Sequence, residues 1–479
     1  MDKTIKRNYL YNLMYEVLAL VVPLITTPYV SRVLGATAIG DYSYTAGIVV
    51  YFSLVAYTGT RTYGQREVAR NKEDILERSK IFYEIFIFRF LCSVIALLLY
   101  LLFISHYLVE YRSLFLIQIL TFLSWIIDLG WFFQGLENFK ITAIRNTIVK
   151  IISTITIFIF VKSADDLWIY TLILSLATVI GNATMWRYLP EQICKVRFSQ
   201  LEIMKNIIPI MSLFIPVIAM QLYTVLDKTM LGTLCNTTET GYYTQAQKII
   251  SIAITVISSL ISVLLPRIAK LSSEGNKKQI NSYFSKTIYF IFLLGMPMML
   301  GLCAISDIFV PFFFGAGYDS VVALLRIQSL LFIILGIGQL LGSFLIALNK
   351  QRYFTIGVSL AAFVNIILNY ILIKVIGMGA NGVSIASVIA ETVSTCTQLY
   401  FIRKYVDISS IFRGFIHYLV PSFIMFILAI FLRLLLPNGF ITLVLCIVLS
   451  VCTYFLILLV NKDELLFSFM KTRKEKGRK

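Results

Sequence analysis

The sequence predicts an all-α integral membrane protein with about fourteen transmembrane helices, and three observations carry that prediction. Hydrophobic residues make up 58% of the chain and charged residues only 14%. With a mean hydropathy of +0.84, that is more apolar surface than one water-soluble core can hide, so lipid is the solvent. Second, apolar runs long enough to cross roughly 30 Å of hydrocarbon as helices recur along nearly the whole length. Third, Lys and Arg are sorted onto alternate connections between those runs.

The runs and their polar breaks place helices near 9–34, 38–60, 81–104, 113–136, 141–161, 167–188 and 206–232. Seven more follow near 241–265, 286–310, 321–347, 353–374, 380–402, 411–436 and 440–460. One set of connections carries Lys3, Lys6 and Arg7, then Arg66, Arg70, Lys72, Arg78 and Lys80, then Lys140, Arg145, Arg187, Lys195, Arg197 and Lys205. It continues with Lys270, Lys277, Lys278, Lys350, Arg352, Arg403 and Lys404. The opposite set holds little beyond Arg112, Lys162, Lys374 and Arg433. Positive residues hold loops on the cytoplasmic side, so both termini are expected there and the number of spans is expected to be even.

The same pass narrows the function. The 42 Lys and Arg against 25 Asp and Glu give a formal charge of +17, but the cations are spread between apolar runs and form no nucleic-acid face. The tail residues Lys471, Arg473, Lys474, Lys476, Arg478 and Lys479 read as a topology determinant with affinity for anionic membrane lipid. The seven cysteines show no C-x-x-C pair and no His at metal spacing, and read as packing residues. The opening segment resembles a cleavable signal only superficially, since Glu16, Arg32 and its length argue that it stays as the first helix. No G-x-x-x-x-G-K-[ST] phosphate loop occurs, so nucleotide hydrolysis by that device is not expected. Asp165-Asp166 resembles a glycosyltransferase metal pair but falls on the expected external side and reads as a solvated loop. The chain is therefore expected to be a transporter and no enzyme, with no cofactor or metal.

Two local matches suggest duplication. Leu34-Gly35 followed by Gly40-Asp41-Tyr42-Ser43-Tyr44 answers Leu231-Gly232 followed by Gly241-Tyr242-Tyr243-Thr244-Gln245. Leu136-Glu137-Asn138-Phe139-Lys140 answers Leu348-Asn349-Lys350-Gln351-Arg352. The offsets imply an N-terminal lobe over 1–200 and a C-terminal lobe over 201–405, six helices each, facing across a central cavity. Two additional helices then occupy 406–462, and 463–479 is a basic cytoplasmic tail.

The stretches PLITTPYVSRVLGATAIGDYSY at 23–44 and DLGWFFQGLENFK at 128–140 resemble the Wzx-type polysaccharide flippases, which move O-antigen and capsule repeat units. These belong to the multidrug/oligosaccharidyl-lipid/polysaccharide exporter superfamily. The resemblance implies a MATE-like two-lobed fold working by alternating access in the bacterial cytoplasmic membrane. It also implies a substrate of undecaprenyl-pyrophosphate-linked oligosaccharide, moved from the inner to the outer leaflet, with polysaccharide polymerase and glycosyltransferases as possible partners. Residue by residue, Pro23 and Pro28 loosen the helix ladder, and Gly35 and Gly40 shape a tight link. Trp131, Phe132, Phe133 and Gln134 read as an interfacial aromatic belt in preference to a sugar platform.

A pyrophosphate-linked sugar brings negative charge and many hydroxyls into the bilayer, so its path needs cations and hydrogen-bonding groups. Arg32, Arg61, Arg89, Lys228, Lys248 and Arg326 lie in or beside apolar runs, where a charge costs about 2.5–3.5 kcal/mol on insertion scales. They are the candidates for a cationic cavity wall, with snorkelling to headgroups the competing reading for Arg61 and Lys248. The intramembrane acids Glu16, Asp41, Asp128, Asp227 and Glu391 read as neutralising nearby cations or, for Glu16, Asp41, Asp128 and Glu391, as candidates for coupling to a proton or sodium gradient. His106 and His417 suggest no ligand constellation. The alternatives are a lipid-linked peptidoglycan precursor flippase, a multidrug/cation antiporter of the same superfamily, and an integral membrane polysaccharide polymerase. A basic intramembrane set disfavours the antiporter, and short external connections disfavour the polymerase.

Overall fold

The computed structural model describes the backbone of residues 3–57, 59–107, 110–437 and 439–467, and side chains there except at 3–16, 107, 213–224, 262–263 and 273. Contacts divide the chain into two compact units, Met1–Gly241 and Tyr242–Lys479. The first holds α1 (Lys3–Tyr57), α2 (Thr60–Arg70), α3 (Ile75–Tyr107), α4 (Arg112–Ile126), α5 (Gly130–Gly135), α6 (Phe139–Phe160), α7 (Leu167–Met185), α8 (Ile203–Leu234) and the first turn of α9 (Thr237–Ser273). The second holds the rest of α9, then α10 (Lys277–Phe314), α11 (Ser320–Gln328), α12 (Leu331–Ala347), α13 (Gln351–Tyr370), α14 (Gly379–Ile402), α15 (Ser409–Leu435) and α16 (Phe440–Val460). This division lies beyond α8, whereas the repeat places a boundary at residue 200. The reason is packing: α8 lies against α1, α2 and α3.

Among the described residues, 12 helical stretches are long and apolar enough to cross a membrane. The expected fourteen exceeds this by two. The 12 count α1 once, although Gly35, with φ 77 and ψ 172, breaks it into two arms. They also leave out α8, which is 32 residues long. Ile152, Ile155 and Ile159 on α6, like Leu98 and Leu102 on α3, turn large apolar side chains outward. Such a surface is stable only against hydrocarbon, which in turn demands that backbone polar groups be satisfied inside each helix.

The expected link at Gly35 is present because glycine tolerates a positive φ that an L side chain resists. Gly40 plays another part. It lies inside the second arm of α1, where a β-carbon would overlap the Thr237 carbonyl, while one on Gly241 would overlap the Ala36 carbonyl. Thr37 and Thr238, 201 residues apart, share a hydroxyl hydrogen bond of 2.9 Å beside this crossing. Further along the arm, Tyr44 fills the space left by Gly232, and the Tyr51 hydroxyl lies 2.5 Å from that of Thr229 on α8.

The second repeat match also has a local structural counterpart. Glu137 and Asn349 both adopt left-handed backbone, with φ of 57 and 59. In each turn the following amide bonds back five residues, Asn138 to the Phe133 carbonyl and Lys350 to that of Leu345. This is the helix-ending arrangement in which one left-handed residue satisfies otherwise orphaned carbonyls.

The expected aromatic belt at 131–134 is corrected by the structure. Trp131, Phe132 and Phe133 are fully buried, with Leu129, in a core that includes Phe82 and Val68. The Trp131 ring stacks on Phe82 at 6.0 Å, and Gly64 on α2 leaves the room its indole occupies. The motif therefore clamps the short amphipathic helix α2 to α5, a tertiary use that hydropathy cannot distinguish from an interfacial girdle.

Candidate functional site

Arg89 is the most deeply placed of the cationic candidates. It lies midway along α3, and its side chain is 1% exposed. Its Nη2 donates to Asp128 Oδ2 at 2.9 Å, and the guanidinium carbon lies 4.5 Å from the centre of the Tyr57 ring. Asp128 sits in the link between α4 and α5, where its other oxygen accepts the Gly130 amide at 2.9 Å. Arg145 from α6 adds a second positive charge to the surroundings of that carboxylate. Nε and Nη1 of Arg89 have no hydrogen-bond partner among the described residues. The site is thus a buried charge pair between α3 and the α4–α5 link, capped by an aromatic face, with spare guanidinium donors. Such donors suit phosphate oxygens.

The other candidates are distributed through both units. In the first, Arg32 and Arg61 are exposed and Lys228 is half-buried beside Asp227, which is buried. Asp41 is half-buried near Thr237. The side chain of Glu16 lies outside the described residues. In the second unit, Lys248 and Glu391 are half-buried. Arg326 donates to Asp307 Oδ2 at 2.6 Å, and Arg433 donates to the same oxygen and to the Ala304 carbonyl. Arg326 is therefore tied into a three-residue ion cluster joining α10, α11 and α15.

Several residues here were missed by a search for charge within apolar runs. Glu84 on α3 is buried; it accepts the Glu202 amide at 2.7 Å and Asn206 Nδ2 at 2.6 Å. Asn206 Oδ1 in turn accepts the Tyr63 hydroxyl at 2.6 Å. Glu84 thereby caps the start of α8 and joins it to α2, and it lay in a stretch whose basic neighbours dominated the reading. Glu84→Ala is expected to lower stability by about 1–2 kcal/mol because it removes the charged acceptor of two part-buried donors, with Glu84→Gln milder. Thermal unfolding of detergent-solubilised protein checks this, and equal melting of Glu84→Ala and parent would show that the network carries no weight. His417 also has partners unseen in sequence: its Nε2 lies 2.8 Å from Asp463 Oδ2, which the Tyr418 hydroxyl reaches at 2.9 Å. In the second unit, a buried uncharged set includes Gln328 donating to Ser384 at 2.9 Å and Asn369 donating to Asn365 at 3.1 Å.

The fold and this site define a class: an all-helical, multi-pass membrane transporter with charge held inside its helix bundle. The family model for polysaccharide biosynthesis proteins matches residues 5–272, and the MatE model matches residues 209–371. The first match spans more than half of the chain, so the chain belongs to the polysaccharide biosynthesis protein family, as its Wzx-type motifs indicated. It is 22% identical over 407 residues to a protein of Escherichia coli (strain K12) assigned as an O-antigen transporter, covering 84% of this chain and 97% of that one. It is 26% identical over 159 residues to the lipopolysaccharide biosynthesis protein WzxC of the same organism, covering 32% and 30%. Its fold resembles that of the lipid II flippase MurJ in an inward closed conformation, with a TM-score of 0.75, 16% identity, and coverage of 96% of this chain and 100% of that one.

Proposed function

We propose that this protein translocates undecaprenyl-pyrophosphate-linked oligosaccharide repeat units from the inner to the outer leaflet of the bacterial cytoplasmic membrane by alternating access, for cell-surface polysaccharide synthesis. The observation that carries this reading is the family match over residues 5–272, which runs through both motifs. The O-antigen transporter similar over nearly its full length supports the substrate class. The buried Arg89, with guanidinium donors to spare, supplies chemistry suited to a pyrophosphate. Arg32 and Lys228 are assigned to the same recognition, with Arg61, Lys248 and Arg326 as further cations on the route. Proton or sodium coupling is assigned to the carboxylate set Glu16, Asp41, Asp128 and Glu391, of which Asp128 is already committed to Arg89. A polymerase and glycosyltransferases are the partners this role implies.

The test is flipping of a lipid-linked oligosaccharide in a flippase-deficient cell, normalised to the amount of monodisperse protein. Restored surface polysaccharide supports the reading, and its absence with well-expressed protein refutes it. The second reading, a lipid-linked peptidoglycan precursor as substrate, is favoured by the MurJ-like fold. Rescue of a cell lacking its peptidoglycan precursor flippase, without rescue of polysaccharide export, would select it.

The orientation gives a separate prediction. Cysteine placed at exposed Ser320, the first residue of α11, is expected to react with an impermeant thiol reagent in intact cells, and cysteine at Ser272 or Thr472 to be protected. Ready labelling at Thr472 from outside would reverse the topology.

A further inference from the structure

We infer that the first unit carries a saccharide-binding cavity on its external face, separate from the Arg89–Asp128 pair. The inference rests on the proposed orientation and substrate class. A cavity of about 400 Å³ is walled by the start of the second arm of α1, the segments leading into α4 and α7, and the first turn of α9. That size falls within the range of small-molecule sites. Its lining mixes three kinds of group. Asp41, Glu110 and Asp165 offer carboxylate oxygens from three different segments. Thr37 and Thr237 offer hydroxyls, with Thr237 also engaged by Asp41 and Tyr111. Tyr111 and Trp168 offer aromatic surface, and Trp168 is 51% exposed.

This combination matches a sugar. Ring hydroxyls donate to carboxylates, forming the stronger charge-assisted bonds, and the apolar C–H face of a pyranose packs against an indole or phenol. A metal ion is the poorer match, because no group of three or more His, Cys, Asp or Glu among the described residues has metal-holding geometry. The division of labour within Asp165-Asp166 is consistent with a site. Asp166 turns back to accept the Lys162 and Ser163 amides, each at 2.8 Å, while Asp165 lines the cavity. In a flippase, this position receives the glycan as it emerges in the outer leaflet.

Trp168 is the most exposed of the four tryptophans, so its fluorescence reports occupancy without any transport assay. In purified full-length protein in nanodiscs, maltotriose and chitotriose are each titrated while acrylamide quenching is followed. At least one is expected to shield the quenchable fraction, and Trp168→Phe to abolish the response. Glu110→Gln combined with Asp165→Asn is expected to raise the half-shielding concentration about tenfold, the loss corresponding to one charge-assisted hydrogen bond. Quenching unchanged by either sugar, or shielding by tetraphenylphosphonium in place of both sugars, overturns the saccharide site. Shielding that survives the double substitution overturns the assigned carboxylates. Flipping measured in parallel separates the readings, since sugar shielding with no flipping leaves this site standing and removes the proposed function, whereas flipping without shielding does the reverse.

Discussion

Asp128→Ala is expected to cost about 3–5 kcal/mol of stability, because it leaves a buried guanidinium without its counter-charge. Arg89 is almost wholly shielded and Asp128 little exposed, with side-chain exposures of 1% and 15%. Neither can turn to water to recover its hydration. The expected readout is a marked loss of monodisperse protein and a lowered melting temperature in detergent. A companion variant, Arg89→Met with Asp128→Leu, is expected to recover most of that loss, since a buried ion pair exchanged for apolar residues of similar volume is often neutral. The double variant then decides the role of the pair. If the guanidinium grips pyrophosphate, the protein folds but flips no lipid-linked oligosaccharide, and Arg89→Lys retains more activity than Arg89→Ala. Normal flipping by the folded double variant would leave Arg89 and Asp128 as a structural strut. Parental melting of Asp128→Ala would show that the charge is not buried at all.

Gly40→Ala and Gly241→Ala are expected to have the next largest effect. Each added methyl would overlap a backbone carbonyl, that of Thr237 or Ala36, and a carbonyl inside a helix cannot swing aside as a side chain does. The two segments must move apart. Overpacking of this kind costs about 1–3 kcal/mol per site, and it should break the Thr37–Thr238 hydrogen bond. Gly47→Ala is the internal comparison. A β-carbon there meets the side chains of Thr229 and Val225 at 3.0 and 3.3 Å, and these can adjust. Thr237 is 7% exposed, so cysteine at that position is expected to be unreactive in the parent and Gly47→Ala backgrounds and reactive with Gly40→Ala. Equal reactivity in all three backgrounds would rule out a tight crossing.

How far the site could be read from sequence depends on the kind of signal. Arg89 was legible because a charge inside an apolar run is conspicuous whatever surrounds it. Its partner was not, since Asp128 lies 39 residues away and several other acids had equal claim. Arg326 was legible as a cation, while its sharing of Asp307 with Arg433 depended on helices far apart in the chain. Glu84 passed unnoticed because it became a capping group only when the start of α8 was folded against it.

The sequence by itself determined that this protein lives in lipid, that helices carry it across, and to which family it belongs. The length of an apolar run is set by bilayer thickness and needs no tertiary knowledge, and the motifs at 23–44 and 128–140 are local strings. It also held the glycine at the break in α1, because a positive φ is a local demand. Tertiary structure alone decided that Trp131, Phe132 and Phe133 are core, that Gly40 and Gly241 meet, and that Arg89 is neutralised. In a membrane chain the apolar pattern is nearly uniform around each helix, since lipid and protein interior are equally apolar. Hydropathy therefore cannot say which face turns inward, and only packing does.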